Sequence, residues 1–278
     1  MAQALLIDRQ PLGNGCMEWW RLNAPQTRNA LTDEMVQALQ EACARAGSDA
    51  QLRLIVLTGN GGKFCAGGSL GSFASAIGQP WQEAAADDPL VHSNRAFGAL
   101  LQALAGLPQL LVAAVQGAAM GGGVGLVSTA DVVIASSDAL FATPEVTLGI
   151  VPAQIAPFVV RRMGEARARE WLLGGQRWSA AQALEAGLVN TVLNAADAED
   201  WNAQLQSQLR RYAQAAPGAV AATKQLLAQM PAHSLDDLLA LAAQSFAHAL
   251  RGPEAAAGLQ AFGSKQAAPW TMAQRSTT

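Results

Sequence analysis

Charge is scarce in this chain of 278 residues. Only 14% of positions are charged, and 18 basic residues against 21 acidic ones leave a net charge near -3. That balance gives no general attraction to nucleic acid or to an anionic membrane, so any phosphate must be held locally. Cysteine is scarcer still. Cys16, Cys43 and Cys65 are odd in number, widely spaced and without a C-x-x-C pair, which suggests neither a disulfide framework nor a zinc site and fits a reducing cytoplasm. No basic segment leads into an apolar one near the amino terminus, and there is no lipidation motif and no internal repeat. His92, His233 and His248 lack metal-ligand spacing, and Ser69 has no partnered histidine in pattern, so neither a metal centre nor a serine nucleophile is expected. No glycine-rich stretch ends in Gly-Lys-Ser/Thr, and GGGVG lacks the spacing and downstream acid of a dinucleotide fold.

What is present is apolar material, 51% of the chain, enough for one large domain or a domain with an appendage. The rest is organised around Gln116 to Asp131, QGAAMGGGVGLVSTAD. A strand-like run, Leu110 to Val115, leads into it, and Gly121, Gly122 and Gly123 fall where a helix starts. Such a turn has two readings. It packs a helix tightly on a strand, or it lets a ligand approach the backbone where free amides carry partial positive charge. Leu110 to Val127 holds no charge and is about long enough to span a membrane. Three consecutive glycines and the polar Gln116 suit a buried strand and turn better.

In chain order, Ala4 to Ile7 and Cys16 to Leu22 flank turn residues and read as a strand pair. Thr32 is an N-cap for a helix with Met35, Leu39, Ala42 and Ala46 on one face, ended by Gly47. Leu52 to Thr58 is almost wholly apolar, as for a central strand covered on both faces. It runs into a second glycine-rich loop, Gly59 to Leu70, and two such loops at strand ends predict one shared site. Gly71 to Asp88 lack a clear period and are expected to form a flap or pocket wall. Leu90, Asn94, Phe97, Leu101 and Leu104 mark a helix stripe, and Val132 to Ala135 and Leu140 to Ala142 short strands. Helical patterns then run almost unbroken from Ile155, with a disordered Ser276-Thr277-Thr278 tail. The expected class is α/β, with a core over 1–200 and a helical region over 201–278.

Asn29-Ala30-Leu31, Phe64-Cys65-Ala66-Gly67, Gly117 to Gly123, Pro144-Glu145 and Leu148-Gly149-Ile150-Val151-Pro152 match, in order and spacing, the motifs of the crotonase, or enoyl-CoA hydratase/isomerase, superfamily. The resemblance covers nearly the whole chain. It implies a ClpP-like crotonase fold of ββα units, a helical region that forms a homotrimer or dimer of trimers, and an acyl-CoA thioester as substrate, with no cofactor beyond the coenzyme A that the substrate carries. It assigns an oxyanion hole to the amides of Ala66 and Gly122, where enolate charge would gather on the thioester oxygen. Glu145 becomes the acid/base, and its apolar neighbours favour a raised pKa. Gly68, Ser69, Gly125 and Val151 fall in the implied acyl pocket. Arg28, Ala30, Phe262 and Lys265 fall at coenzyme A positions, the last two on the terminal helix.

Two departures bear on the chemistry. The best-known hydratases carry a second glutamate where this chain has Gly125, and many have an aspartate at Ser69. Glu145 is left alone to orient water and move the proton, or the reaction is a different enolate-forming one, such as an isomerisation. A non-catalytic acyl-CoA binder is the third reading. GGGVGLV with LGIVPAQIAPFVVRR resembles the bacterial branch of 3-methylglutaconyl-CoA and isohexenylglutaconyl-CoA hydratases, which serve leucine or terpenoid degradation. Small residues from Ala66 to Ser72 would leave room for a long tail. Arg161 and Arg162 either face solvent or hold a substrate carboxylate.

Overall fold

A computed structural model describes residues 3–68, 74, 77–79 and 88–272. Ser69, Trp81, the terminal Ser276-Thr277-Thr278 and nearly all of the expected flap lie outside these. Strands β1 (Leu5–Leu12) and β2 (Gly15–Leu22) form an antiparallel hairpin. Its turn needs Gly13 at φ +60°, where a Cβ would strike the Trp270 carbonyl. Helix α1 (Asp33–Gly47) follows, with Thr32 accepting the Met35 amide at 3.2 Å as its cap. Strand β3 (Leu52–Gly59) then pairs in parallel with β2, and after helix α2 (Pro89–Ala105) strand β4 (Leu110–Val115) pairs with β3.

The charge-free run expected to be strand and turn is β4, the short β5 (Ala118–Met120) and helix α3 (Gly122–Thr129). Helix α3 is buried on all sides from Gly123 to Thr129, which is why it is apolar all round. Strands β6 (Val132–Ser136) and β7 (Leu140–Ala142) come next, then helices α4 (Ala156–Met163) and α5 (Glu165–Gly174). The expectation of unbroken helix after Ile155 is corrected here. Strand β8 (Arg177–Ser179), helix α6 (Ala180–Glu185) and strand β9 (Thr191–Leu193) intervene, and strands of three residues are too short to show an alternating pattern. The main sheet runs β1-β2-β3-β4-β6-β9, and a smaller one runs β5-β7-β8.

Alternation along β2 divides the core. Trp20 and Leu22 join Phe64, Leu101, Phe141 and Trp171 on one side of the main sheet. Met17 and Trp19 join Val56, Val112 and Ile134 on the other, covered by Trp201, Leu205 and Leu209 of helix α7 (Ala198–Tyr212). Thus α7 crosses residue 200 and packs on the sheet. Helices α8 (Pro217–Gln229), α9 (Leu235–Leu250) and α10 (Pro253–Gly263) lie beyond it. Leu235, Leu239 and Phe246 of α9 are more than half exposed.

Arg53, a charge inside an otherwise apolar central strand, ties these regions together. It donates to the carbonyls of Leu12 (3.0 Å), Ala213 (2.9 Å), Ala215 (3.0 Å) and Trp270. Among the described residues no helix is long and apolar enough to cross a membrane.

Candidate active site

Both glycine-rich loops leave the same end of the parallel pair β3–β4 and are laced together. The Phe64 amide donates to Gln116 O at 2.9 Å, Cys65 to Ala118 O at 3.0 Å, and Met120 back to Cys65 O at 2.9 Å. Gly67 sits at φ +88°, and a Cβ there would lie 2.6 Å from Met120 O. The first loop is pinned from behind by Asn29. Its buried carboxamide accepts the Ala24 amide and donates to Asn60 O (2.9 Å) and Lys63 O (2.7 Å).

This lacing corrects the expected oxyanion hole. The Ala66 amide donates to Arg28 O at 2.9 Å, and Leu31 N donates to Gly67 O at 2.8 Å, so Ala66 N–H is held by the fold. Two residues on, the Gly68 amide has no acceptor among the described residues, nor does that of Gly122. Gly68 N lies 3.6 Å from where a Gly122 Cβ would stand, and both residues line one cavity. Gly122 opens α3, where the first amides lack intrahelical partners and the helix dipole is positive.

Glu145 faces the same cavity from a single 3-10 turn, Pro144–Leu148, closed by Gly149 at φ +75° and by Ile150 N donating to Glu145 O at 3.0 Å. Gly121 makes room for it, since a Cβ there would stand 2.7 Å from Glu145 Oε1. Oε2 is buried with no hydrogen-bond partner. Burial raises the carboxyl pKa above its ordinary 4.5, offset only in part by a bond from the residue's own amide. A carboxyl so placed is suited to taking and returning a proton.

The cavity is about 260 Å³. Its polar lining beside Glu145 is Asp33, Ser93, Asn94 and Gln154, with Leu31, Phe97, Leu148, Ile150 and Val151 among the apolar walls, and no basic side chain among the described lining residues. Val151 was expected there and stands 78% exposed at its edge. Gly125 was expected to leave room for the acyl group and does not: a Cβ there would meet Ile155 Cγ2 at 2.6 Å and Leu101 Cδ1 at 3.3 Å. The space a second carboxylate would need is filled by Ile155. Asp33, Asn94, Phe97 and Gln154 were missed as site residues. An asparagine inside the apolar stripe of α2 was the one signal for them.

Of the expected coenzyme A residues, Arg28 is exposed at φ +55° and Ala30 half-buried, immediately before the cavity residue Leu31. Phe262 is 84% exposed, and Lys265 lies past the end of α10 at φ +56°, so the pair is not on one helix as expected, and neither lines this chain's cavity. Arg161 and Arg162 also do not line the cavity of Glu145. They sit in the last turn of α4, not at a helix start, and Arg162 donates to Leu188 O (2.7 Å), Ala130 O (2.6 Å) and Asn190 Oδ1 (2.5 Å). Burial lowers its pKa to about 10. Among the described residues no group of three His, Cys, Asp or Glu side chains is placed to hold a metal.

Comparison with known proteins bears on the family and the fold. Residues 17–273 match the family described as Enoyl-CoA hydratase/isomerase. The chain is 33% identical over 245 residues to a putative enoyl-CoA hydratase of Thermus thermophilus, covering 88% of this chain and 93% of that one. It is 33% identical over 242 residues to the 2,3-dehydroadipyl-CoA hydratase of Escherichia coli, covering 87% and 89%. A crystal structure of an enoyl-CoA hydratase/isomerase from Marinobacter aquaeolei superposes with a TM-score of 0.88 at 39% identity, over 97% of this chain and 100% of the other.

Proposed function

The chain belongs to the enoyl-CoA hydratase/isomerase family and is a hydratase-type enzyme, and from that premise we propose that it hydrates a branched 2-enoyl-CoA with Glu145 as its single acid/base. The observation that carries this reading is one cavity lined by Glu145, whose buried Oε2 has no partner, and by Gly68 and Gly122, whose amides are uncommitted. The thioester oxygen accepts from those amides. As the water oxygen bonds to the β-carbon, Glu145 takes a water proton, and the alkene electron pair moves onto the thioester oxygen as an enolate. The proton held by Glu145 then passes to the α-carbon. Amides fixed in advance stabilise that enolate strongly because they need not reorganise as the charge forms.

The branched substrates we favour are isohexenylglutaconyl-CoA and 3-methylglutaconyl-CoA. Leu148, Ile150 and Val151 give a branch or an isoprenoid tail an apolar, open edge to lie on. A free carboxylate on such a tail meets no basic side chain of the described lining, so it projects to solvent there. Apolar side chains exposed on α9 and α10 support a homotrimer or dimer of trimers, in which Phe262 and Lys265 would serve a neighbour's coenzyme A. An assay panel of crotonyl-, 3-methylglutaconyl- and isohexenylglutaconyl-CoA, followed by loss of enoyl absorbance, tests the reading. Hydration fastest on a branched member is expected. Double-bond migration without hydration would make the enzyme an isomerase, and binding without turnover would make it a binder.

A further inference from the structure

Helix α2 carries a glycine, Gly98, in its interior, where alanine would favour the helix by about 1 kcal/mol. The fold uses the missing methyl. A Cβ at 98 would overlap Gln154 Oε1, whose side chain lies across the helix at that point. One turn earlier, on the same face of α2, Asn94 Oδ1 accepts from Gln154 Nε2 at 2.8 Å. The pair therefore has a fixed orientation. The amide hydrogens of Asn94 and the carbonyl oxygen of Gln154 have no further hydrogen-bond partner among the described residues, and both side chains line the cavity of Glu145.

We propose that Asn94 and Gln154 hold the water that Glu145 deprotonates, a role that rests on the hydratase reading given above. A bound water offers four tetrahedral positions. Its two hydrogens go to Gln154 Oε1 and the Glu145 carboxylate, one lone pair accepts from the Asn94 amide, and the other is left to attack the β-carbon. Three polar partners are what an ordered water needs. Charge argues for this occupant over an acyl carboxylate. The described lining holds two acidic side chains, Asp33 and Glu145, and no basic one. A neutral dipole is favoured in such surroundings and an anion is not. Ile155, the next residue in the chain, closes the place beside Gly125, so water is positioned here by carboxamides that cannot themselves take a proton.

The test compares two reactions of the full-length enzyme. Hydration of crotonyl-CoA and 3-methylglutaconyl-CoA needs the water, whereas exchange of the α-hydrogen of butyryl-CoA in deuterium oxide needs only Glu145 and the oxyanion amides. Gln154→Leu removes one water partner directly. Gly98→Ala displaces it while improving the helix, which guards against simple misfolding. Both should lower kcat for hydration about 10- to 100-fold, leave KM within roughly three-fold, and leave the exchange rate unchanged. Hydration and exchange falling together would make the pair a support for Glu145 and overturn the proposal. A raised KM confined to 3-methylglutaconyl-CoA would make it a carboxylate receptor, and unchanged hydration would leave it idle; each also overturns it. Failure of the hydratase reading would show separately, as wild-type enzyme that exchanges butyryl-CoA but hydrates no member of the panel.

Discussion

Two glutamates in this molecule have been taken out of water under opposite terms. Glu18, on β2, is 1% exposed and fully engaged: Arg45 reaches both oxygens at 2.9 and 2.6 Å, Arg9 lies at 3.5 Å, and Trp20 Nε1 donates at 2.8 Å. Burial alone would raise its pKa, but the Arg45 and Trp20 bonds and the two arginine charges outweigh that and leave it below the ordinary 4.5. Glu145 is less buried, yet one of its oxygens has no partner, and burial prevails to raise its pKa. The difference lies in the neighbours. Arginines fix a charge as structure, while glycines and apolar side chains leave a carboxyl free to change its charge.

Exchanging each glutamate for glutamine should separate the two roles. Glu145→Gln keeps the shape and removes the base, so hydration should fall by about 100- to 10,000-fold, with acyl-CoA binding within a few-fold by calorimetry. Steady-state rates near wild type would assign the proton to another residue. Glu18→Gln should leave the kcat of folded enzyme unchanged.

The enolate side of the site predicts the next largest effect. Proline is accepted at the first position of a helix, so Gly122→Pro removes the amide while α3 keeps its start, though its ring must displace Leu31 Cδ1. Turnover should drop about 100-fold. Full activity in a folded Gly122→Pro enzyme would place the thioester oxygen elsewhere.

Stability reverses the ranking of the two glutamates. Loss of charge at Glu18 removes the ion pair from Arg45, and denaturant unfolding should show a cost of about 2 kcal/mol, moderated because Arg45 is itself 44% exposed. Gly125→Glu should cost about 1–3 kcal/mol by overpacking against Ile155 and Leu101. If Gly125→Glu proves as stable as wild type, Ile155 does not fill that place in solution.

The smallest effects are in pH. Because the Glu145 pKa is raised in the fold, kcat/KM should decline on the acid side with an inflection above 4.5. Folding favours its neutral form, so its stabilising share is present below the ordinary carboxyl value and is lost as pH rises through the folded one. Glu145→Gln should therefore raise Tm near neutrality and not below pH ~4. Glu18 runs the other way, with its share present above the ordinary value and lost as pH falls through the lowered one. Melting curves that shift alike for both variants would erase the distinction.

Much of this was legible in the amino-acid order. The apolar run at Leu52 to Thr58, the two glycine loops and the motif around Glu145 are local patterns, and local patterns set strands, turns and helix starts. The choice between the Ala66 and Gly68 amides was not legible. It depends on the Ala66 amide donating to Arg28 O, a residue distant in sequence, and nothing within KFCAGG says which N–H that bond consumes. Gly125 was misread for a related reason, since an absent side chain in the sequence is not an empty volume in the fold. Asn94 stood in plain view in the stripe of α2, but its partner Gln154 comes from the far side of Glu145, and only packing brings them together.

Arg53 gives the molecule an order of assembly. Its strand lies at the centre of the main sheet, yet three of the four carbonyls to which its buried guanidinium donates lie 160, 162 and 217 positions further along the chain. During synthesis from the amino end, β3 therefore carries a cation with part of its hydrogen-bonding capacity unanswered until the turn after α7 and the Trp270 segment have been made. The sheet can condense early, but it cannot be sealed early. A nascent chain halted before Trp270 should stay open to proteases at its β1–β2 turn, where Arg53 awaits the Trp270 carbonyl that packs against Gly13.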